Sequence, residues 1–462
     1  MNQTFYIKTY GCQMNQYDSE KINQLLKNIG FEETNDIENS DLAILNTCHI
    51  RERASEKMYS DLGRLSKFKE NKEINGRKMQ IIVTGCVAQA EADEILKRSK
   101  SVDFVLGPQN FHVLPDILKK ERKRFNNFLP DEKFKSLAQL KTDSKNVSKM
   151  VTIQEGCDKF CSFCVVPYTR GAEYSRSIEQ INAEVINLSK SGAREVTLLG
   201  QNVSSYSSKI FSEKKNKKVG ISFLLRVLSK IKDIKRLRYV TSHPNDIGDD
   251  LIYEHKLNTK LMPFLHLPIQ SGSNKILKEM NRKHTREFYI ELIKKIRFHV
   301  PEIAFSSDFI VGYPGETDAD FAETLRLVSD IEFAQAYSFK YSSRPGTPAS
   351  GKVEVDEQTK SDRLESLQQL LNAQQLAFNL KKVGTTQTVL VEKRGRKQGQ
   401  LVGKTPYMQA VHFCGSELLI GSVQKVRILD GFSKGISGDI VEDDKIYDIH
   451  ETTDIETKGT YS

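Results

Sequence analysis

The sequence predicts an α/β protein in three parts: an N-terminal parallel α/β sandwich, a central open barrel of six β/α units, and a small OB-like β-barrel near the C-terminus. Three observations predict it. Short runs of β-forming residues alternate with helical patterns up to residue 118, and such alternation implies a parallel sheet with helices on its faces. The alternation resumes at Val151 and runs through six units towards residue 345. After Gly384 it gives way to short alternating segments separated by glycine-containing turns, the pattern of a small all-β barrel.

In the first part, residues 1–118, the strands are FYIKTYGC, DLAILNTC, QIIVTGC and VDFVLG, and the helices are SEKINQLLKN, ASEKMYSDLGRL and EADEILKRS. Residues 119–149 are polar and weakly periodic, with ten basic and four acidic residues, and are expected to be a basic linker. In the second part, 150–380, the strands are VTIQEG, EVTLLGQN, RLRYVTSHP, PFLHLPIQSG, IAFSSDFIVG and AQAYSFKYS, closed by one long helical pattern over 357–382. A barrel of such units carries its site at the C-terminal ends of the strands. The third part, 381–445, contains TQTVLVEK, QLVGK, MQAVHF and LLIGSVQKVRIL, and an acidic tail, 446–462, follows.

Composition narrows the class. The chain of 462 residues carries a net charge of +9. Eight acidic residues against one lysine lie between 439 and 456, so the rest is more basic than the total suggests. Positive charge concentrates in 119–149 and in 381–427, the latter with nine basic and two acidic residues, which favours a polyanionic partner. No stretch approaches the roughly 18 apolar residues that span a bilayer, and MNQTFYIKTYGC lacks the regions of a secretory signal. A cytoplasmic protein with no membrane partner is expected. Its seven cysteines are then ligands or core residues rather than disulfides.

Cys157, Cys161 and Cys164 stand in EGCDKFCSFC. Three thiolates at spacings of four and three can bind three irons of a cubane from one loop, leaving the fourth iron open, as in catalytic sites. A zinc knuckle on Cys161 and Cys164 needs a fourth local ligand. The nearest histidines are His112 and His243, and no cysteine follows until Cys414. Cys12, Cys48 and Cys86 are far apart, yet each ends a predicted strand. In a parallel sheet all strand C-termini share one edge, so three strands can bring three thiols together. Gly11 and Gly85 precede two of them and permit close backbone approach. Three buried core cysteines are the competing reading. Cys414 is read as a core or surface thiol.

The loop C-x-x-x-C-x-aromatic-C opening a six-unit barrel resembles the radical S-adenosylmethionine superfamily. Together with YGCQMNQYDSE, LNTCHIRERASEK, TGCVAQ, CVVPYTRG, HLPIQSGSNKILKEMNRKHT, SDFIVGYPGET and YSSRPGTPAS, it is similar to the MiaB-type tRNA methylthiotransferases over residues 3–440. The resemblance implies two 4Fe-4S clusters, one on Cys157, Cys161 and Cys164 and a sulfur-delivering one on Cys12, Cys48 and Cys86. It implies S-adenosyl-L-methionine held by Phe163 against the adenine and by Gly200, Gln201, Asn202, Gln270, Ser271, Gly272, Asp308 and Gly312. The expected activity is radical methylthiolation of C2 of N6-(dimethylallyl)adenosine at position 37 of a tRNA, next to the anticodon. One S-adenosylmethionine supplies a methyl group and a second the 5′-deoxyadenosyl radical. Other branches of the family act on threonylcarbamoyladenosine or on a ribosomal-protein aspartate; GCQMN and CSFCVVPYTRGAEYSR resemble the MiaB branch. A reading of another class, an iron–sulfur RNA-binding sensor without catalysis, would need no open barrel.

The third part resembles a TRAM domain, an RNA-binding β-barrel. Its turn Lys393–Lys397 is expected to meet phosphates, while Phe413 and Tyr407 either stack on unpaired bases or serve as core aromatics. Val165, Val166 and Tyr168 are candidate walls for a prenyl group. The implied partners are tRNA, a flavodoxin- or ferredoxin-like electron donor and a sulfur or cluster supplier, acting on a monomer.

Overall fold

The computed structural model describes residues 3–48, 52–118, 124–125, 130–137, 146–210 and 217–441. The expected acidic tail, 446–462, lies outside them. No helix among the described residues is long and apolar enough to cross a membrane.

The N-terminal part is built from β1 (Thr4–Thr9), α1 (Gln13–Asn28), β2 (Glu32–Glu33), β3 (Leu42–Thr47), α2 (Glu52–Ile74), β4 (Gln80–Gly85), α3 (Cys86–Ala90), α4 (Ala92–Arg98), β5 (Phe104–Leu106), α5 (Leu114–Ile117), β6 (Arg124–Phe125) and α6 (Pro130–Leu137). The strands form one parallel sheet in the order β2-β1-β3-β4-β5-β6. β3 is buried along its whole length, as expected of a strand covered on both faces. The stretch expected to be a linker contributes differently. Its described residues supply an edge strand, β6, and the helix α6, whose Phe134 and Leu137 join the core of Phe5, Ile22 and Leu26. Lys133 on α6 and Lys149 are buried rather than displayed.

The central part follows as β7 (Ser148–Thr152), β8 (Gln154–Glu155), α7 (Val166–Arg170), β9 (Tyr174–Ser175), α8 (Ile178–Lys190), β10 (Glu195–Leu199), β11 (Ser207–Ile210), β12 (Lys217–Gly220), α9 (Ile221–Ser229), β13 (Arg236–Tyr239), α10 (Asp249–Leu257), β14 (Phe264–His266), α11 (Asn274–Glu279), α12 (Arg286–His299), β15 (Ala304–Val311), α13 (Asp318–Ile331), β16 (Gln335–Lys340) and α14 (Glu357–Leu380). β7, β10 and β13 run parallel side by side, as do β14, β15 and β16. A parallel bridge from Leu237 to Leu261 joins the two halves. No pairing joins β7 to β16 among the described residues, so the six-stranded barrel is open. Its core, including Val151, Val196, Leu237, Leu265 and Phe309, is closed from outside by helix residues such as Ile181, Leu224 and Ile293. Side-chain caps start several of the helices: Ser177 accepts from the Gln180 backbone, and Thr317 and Asp320 form a reciprocal box.

The C-terminal barrel closes in the order β17-β18-β19-β21-β20, with β17 (Thr386–Arg394), β18 (Gln400–Lys404), β19 (Ala410–Cys414), β20 (Val423–Phe432) and β21 (Gly435–Ile440). β21 (GISGDI) carries few strand-forming residues and is absent from the strands expected above. Phe413, 3% exposed, lies in the barrel core with Val389, Leu401 and Ile428, which corrects the base-stacking reading of that residue. Tyr407 packs edge-on against Phe378, with the Lys382 ammonium 4.3 Å from its ring centre. Cys414 is exposed. Two buried arginines of β13 bolt this barrel down. Arg236 donates to the Lys404 and Thr388 carbonyls at 2.6 and 2.9 Å. Arg238 donates to those of Pro406 and Thr405 at 2.8 and 2.9 Å, and pairs with Glu195.

Helix α1 ties the first two parts together. Ile22, Leu25 and Leu26 face the N-terminal sheet, while Met14 and Tyr17 pack against Leu199 and Met150 of the barrel. Beside them Lys21 meets Glu184 of α8 at 2.8 Å, and Arg176 meets the same carboxylate at 2.7 Å. Burial alone would raise the Glu184 carboxyl, but the charges of Lys21 and Arg176 override it and hold it at about 2, below its ordinary 4.5. A carboxyl held low stabilises the fold above its unfolded pKa, and that stabilisation is lost as pH falls through the folded value. Acidification from pH 4.5 to 2 is therefore expected to remove on the order of 3 kcal/mol from this junction. Glu184→Gln should flatten that part of the stability–pH curve, read by near-ultraviolet tyrosine dichroism, since the chain has no tryptophan.

Candidate active site

The parallel register Thr9 to Asn46 and Thr47 to Gly85 brings the ends of β1, β3 and β4 level on one edge. There Cys12 caps α1 in extended conformation, Cys48 follows β3, and Cys86 opens α3. Cys48 and Cys86 are buried and Cys12 is half-buried. The approach depends on glycine, as the sequence implied. Gly11 has φ +108°, and a Cβ there would stand 2.1 Å from the Cys48 Cβ. Gly85 has φ +96°, and a Cβ would stand 2.3 Å from the Thr47 carbonyl. Two buried asparagines, which sequence reading passed over, fix the edge. Asn15 donates to the Asn46 side chain at 3.0 Å and to the Thr47 carbonyl at 2.7 Å. Asn46 donates back to the Asn15 carbonyl at 2.8 Å.

Cys157, Cys161 and Cys164 lie in the loop between β8 and α7, at the C-terminal side of β7. Cys157 donates its backbone N–H to the Gly171 carbonyl, and Ser162 to that of Met280. Asn281 reaches the Phe160 carbonyl at 2.9 Å. It holds Phe160 at φ +48°, a left-handed conformation that a bulky residue adopts only under constraint. Arg282, also missed in sequence, is buried, with one guanidinium nitrogen 3.5 Å from the Cys161 sulfur and another on the Pro268 carbonyl.

The two edges meet. Cys12 and Met14 pack in one cluster with Leu199 at the end of β10, and a buried charge network lies between the cysteine sets. Arg170, at the end of α7, contacts Asp18 of α1 at 2.9 Å and Glu155 of β8 at 3.3 Å. Lys133 contacts Glu155 at 2.6 Å and Asp18 at 3.4 Å. The thiols respond to these surroundings. The hydrogen bond to Cys48 draws Cys12 down to about 6, against the opposing effect of burial and with help from Arg170. Burial raises Cys86, with Arg170 opposing, and pushes Cys157 to about 11 and Cys164 to about 12.

The other expected residues divide. Gly200, Gln201 and Asn202 follow β10 at the same end of the barrel. The Gln201 side-chain oxygen is buried without a hydrogen-bond partner among the described residues, as is the hydroxyl of Ser242 after β13. Asn202 is committed within the protein: it donates to Asp246 at 2.7 Å and accepts from the His243 backbone at 3.0 Å. Gln270, at φ +82°, splices the chain into β15 through the Asp308 carbonyl and the Ile310 N–H. Ser271 is fully buried and Gly272 packs onto Thr324 of α13. The Asp308 carboxylate faces His266 at 3.5 Å. A Cβ on Gly312 would stand 2.4 Å from Lys360 of α14. Phe163 packs on Ile276, Met280 and Tyr313.

The donor sets fit iron–sulfur clusters. Each is three soft thiols, the ligand type that holds such clusters. Among the described residues no group of three or more His, Cys, Asp or Glu stands close enough to share one metal ion; a cubane asks for wider spacing, because each thiolate reaches a different iron. The unpartnered Gln201 and Ser242 atoms fit a polar cofactor beside the barrel set.

Residues 4–107 match the uncharacterized protein family UPF0004, 151–328 the radical SAM superfamily, and 380–440 the TRAM domain. The tRNA-2-methylthio-N(6)-dimethylallyladenosine synthase of Rickettsia canadensis (strain McKiel) is 49% identical over 448 residues, covering 95% of this chain and 100% of that protein. The chain belongs to the tRNA-2-methylthio-N(6)-dimethylallyladenosine synthase family. The synthase of Orientia tsutsugamushi (strain Boryong) is likewise 49% identical, over 95% of this chain and 99% of its own. Members of this synthase family are radical SAM enzymes that modify tRNA. In fold, the chain resembles the radical S-adenosylmethionine methyltransferase TsrM from Kitasatospora setae, solved with tryptophan substrate and a SAM analog. The TM-score is 0.55 at 12% identity, over 76% of this chain and 75% of that one.

Proposed function

We propose that Cys157, Cys161 and Cys164 hold the cluster that engages S-adenosylmethionine, and that Cys12, Cys48 and Cys86 hold a second cluster that delivers sulfur. The observation that carries this reading is two sets of three thiols at the strand C-termini of two abutting parallel sheets. When bound, the clusters and S-adenosylmethionine supply the one-electron chemistry that an unactivated C2–H bond requires and that side chains lack. The chain's own groups orient and exclude. Arg282 and Asn281 fix the barrel cysteine loop, Gln201 and Ser242 offer polar contacts to the cofactor, and the buried Asp18–Arg170–Glu155–Lys133 network keeps water from between the two sets. The substrate is N6-(dimethylallyl)adenosine at position 37 of a tRNA, extruded from its stack to reach the mouth. An electron donor of flavodoxin or ferredoxin type and a sulfur supplier complete the cycle, with the chain acting as a cytoplasmic monomer.

Val166 and Tyr168, the latter 49% exposed, are the open part of the expected prenyl wall, while Val165 is buried in the loop. A five-carbon group covered there contributes about 2–3 kcal/mol, a preference of about 30- to 150-fold for prenylated tRNA. A side-by-side assay with prenylated, unprenylated and threonylcarbamoylated tRNA and the ribosomal protein checks this. Equal rates on the first two would remove the prenyl pocket; activity confined to either of the last two would change the branch.

A further inference from the structure

The hairpin β11–β12 leaves the barrel directly after the turn that carries Gly200, Gln201 and Asn202. It is tied to the segments flanking the cysteine loop. Ser205 bonds Glu173 at 3.0 Å and Gln154 at 3.3 Å, the Ser207 backbone N–H donates to Ser175 at 3.2 Å, and the Tyr206 hydroxyl reaches the Arg176 carbonyl at 2.7 Å. The hairpin base therefore stands at the rim of the barrel mouth. In its antiparallel register Ser208 opposes Val219, and both are buried. One step along, Lys209 directly opposes Lys218, and Lys217 opposes Ile210. All three lysines are exposed. Like charges facing each other across two strands destabilise the pair, and among the described residues none of the three has an acidic partner.

We propose that Lys209, Lys217 and Lys218 form a second RNA-binding surface, gripping the phosphate backbone of the anticodon arm at the mouth, separate from the Lys393–Lys397 turn of the C-terminal barrel. The inference deepens the tRNA reading above and rests on it. An anionic backbone relieves the lysine–lysine opposition that the hairpin otherwise carries, and phosphate contacts position a nucleic acid without reading its sequence. A surface beside the chemistry holds the arm in place, whereas the C-terminal turn holds the tRNA at a distance from it.

The test uses the full chain with all three lysines changed to Ala, a second variant with all three changed to Arg, and a third with Lys393→Ala, Arg396→Ala and Lys397→Ala. Binding of a tRNA and of its isolated anticodon stem-loop is measured from about 50 to 200 mM salt. The hairpin alanine variant should bind both roughly tenfold more weakly, with a salt slope shallower by about 2–3. The arginine variant should match the parent, and no variant should melt below the parent. Parental affinity and slope in the hairpin alanine variant, with loss in the turn variant, overturns the inference and leaves the tRNA reading standing. Unchanged RNA binding with slower reduction by a flavodoxin overturns it in favour of an acidic protein partner. A parent chain that binds tRNA no better than DNA of equal length removes the tRNA reading itself, and the inference with it.

Discussion

Cys161→Ala is expected to abolish cleavage of S-adenosylmethionine, whereas Cys48→Ala is expected to leave cleavage largely intact and end methylthio transfer. The separation follows from where the two thiols stand. Cys161 sits in a barrel loop anchored by Met280, Asn281 and Arg282, none of which belongs to the N-terminal sheet. Cys48 follows β3, within the edge fixed by Asn15 and Asn46. Each change should lower bound iron from about eight to about four per chain after anaerobic reconstitution, so the metal count reports the assignment independently of turnover. Because Cys48 is fully buried, its loss also carries a packing cost of about 1 kcal/mol, which a melting curve of the iron-free chain separates from the metal effect. Full methylthio transfer by a folded Cys48→Ala chain would sink the second site.

The next largest effect is expected at Arg170. Its guanidinium bridges Asp18 and Glu155, both buried and belonging to different parts of the chain. Removing one member of a buried ionic group leaves charge uncompensated and costs about 3–5 kcal/mol. Lys133 remains beside both carboxylates, so Arg170→Met is expected at the lower end of that range. Arg170 also lowers the Cys12 and Cys86 thiols, so the variant should lose iron from the N-terminal set before the barrel set. Arg170→Lys should restore much of the stability but less of the geometry, because an ammonium lacks the rigid planar fork that places a separate nitrogen on each carboxylate. Equal iron occupancy at both sites in a folded Arg170→Met chain would confine the residue to a packing role.

The sequence made some of this legible and hid the rest for physical reasons. Cys12, Cys48 and Cys86 could be grouped because each ends a strand, and parallel strands share an edge. The six strands of the barrel were readable as runs of β-formers separated by helical periods. Asp18, Lys133, Glu155 and Arg170 were not, because a charged residue in a linear chain reads as solvated until tertiary contact pairs it. The strand β6 is two residues inside a basic stretch, too short to show a strand pattern in sequence, and it is seen only through its pairing with β5. β21 went unread because closure of the barrel, not strand propensity, holds it. Ser271 and Gly312 do lie beyond strand ends, as a cofactor site requires, but packing against α13 and α14 already accounts for them.

The arginine pair on β13 has a consequence for how such a chain can be taken apart. By sequence, the C-terminal barrel looks like an interchangeable part, appended after a long helix and separable near residue 380. Mechanically it is not. Lys404, Thr388, Pro406 and Thr405 surrender their carbonyls to Arg236 and Arg238, and Asn379 of α14 donates to the Phe432 carbonyl at 2.6 Å. Cutting there uncovers two guanidinium groups and leaves the excised barrel with a row of bare acceptors. The boundary visible in composition is not a boundary in hydrogen bonding, which runs across it from β13 and α14 into the barrel.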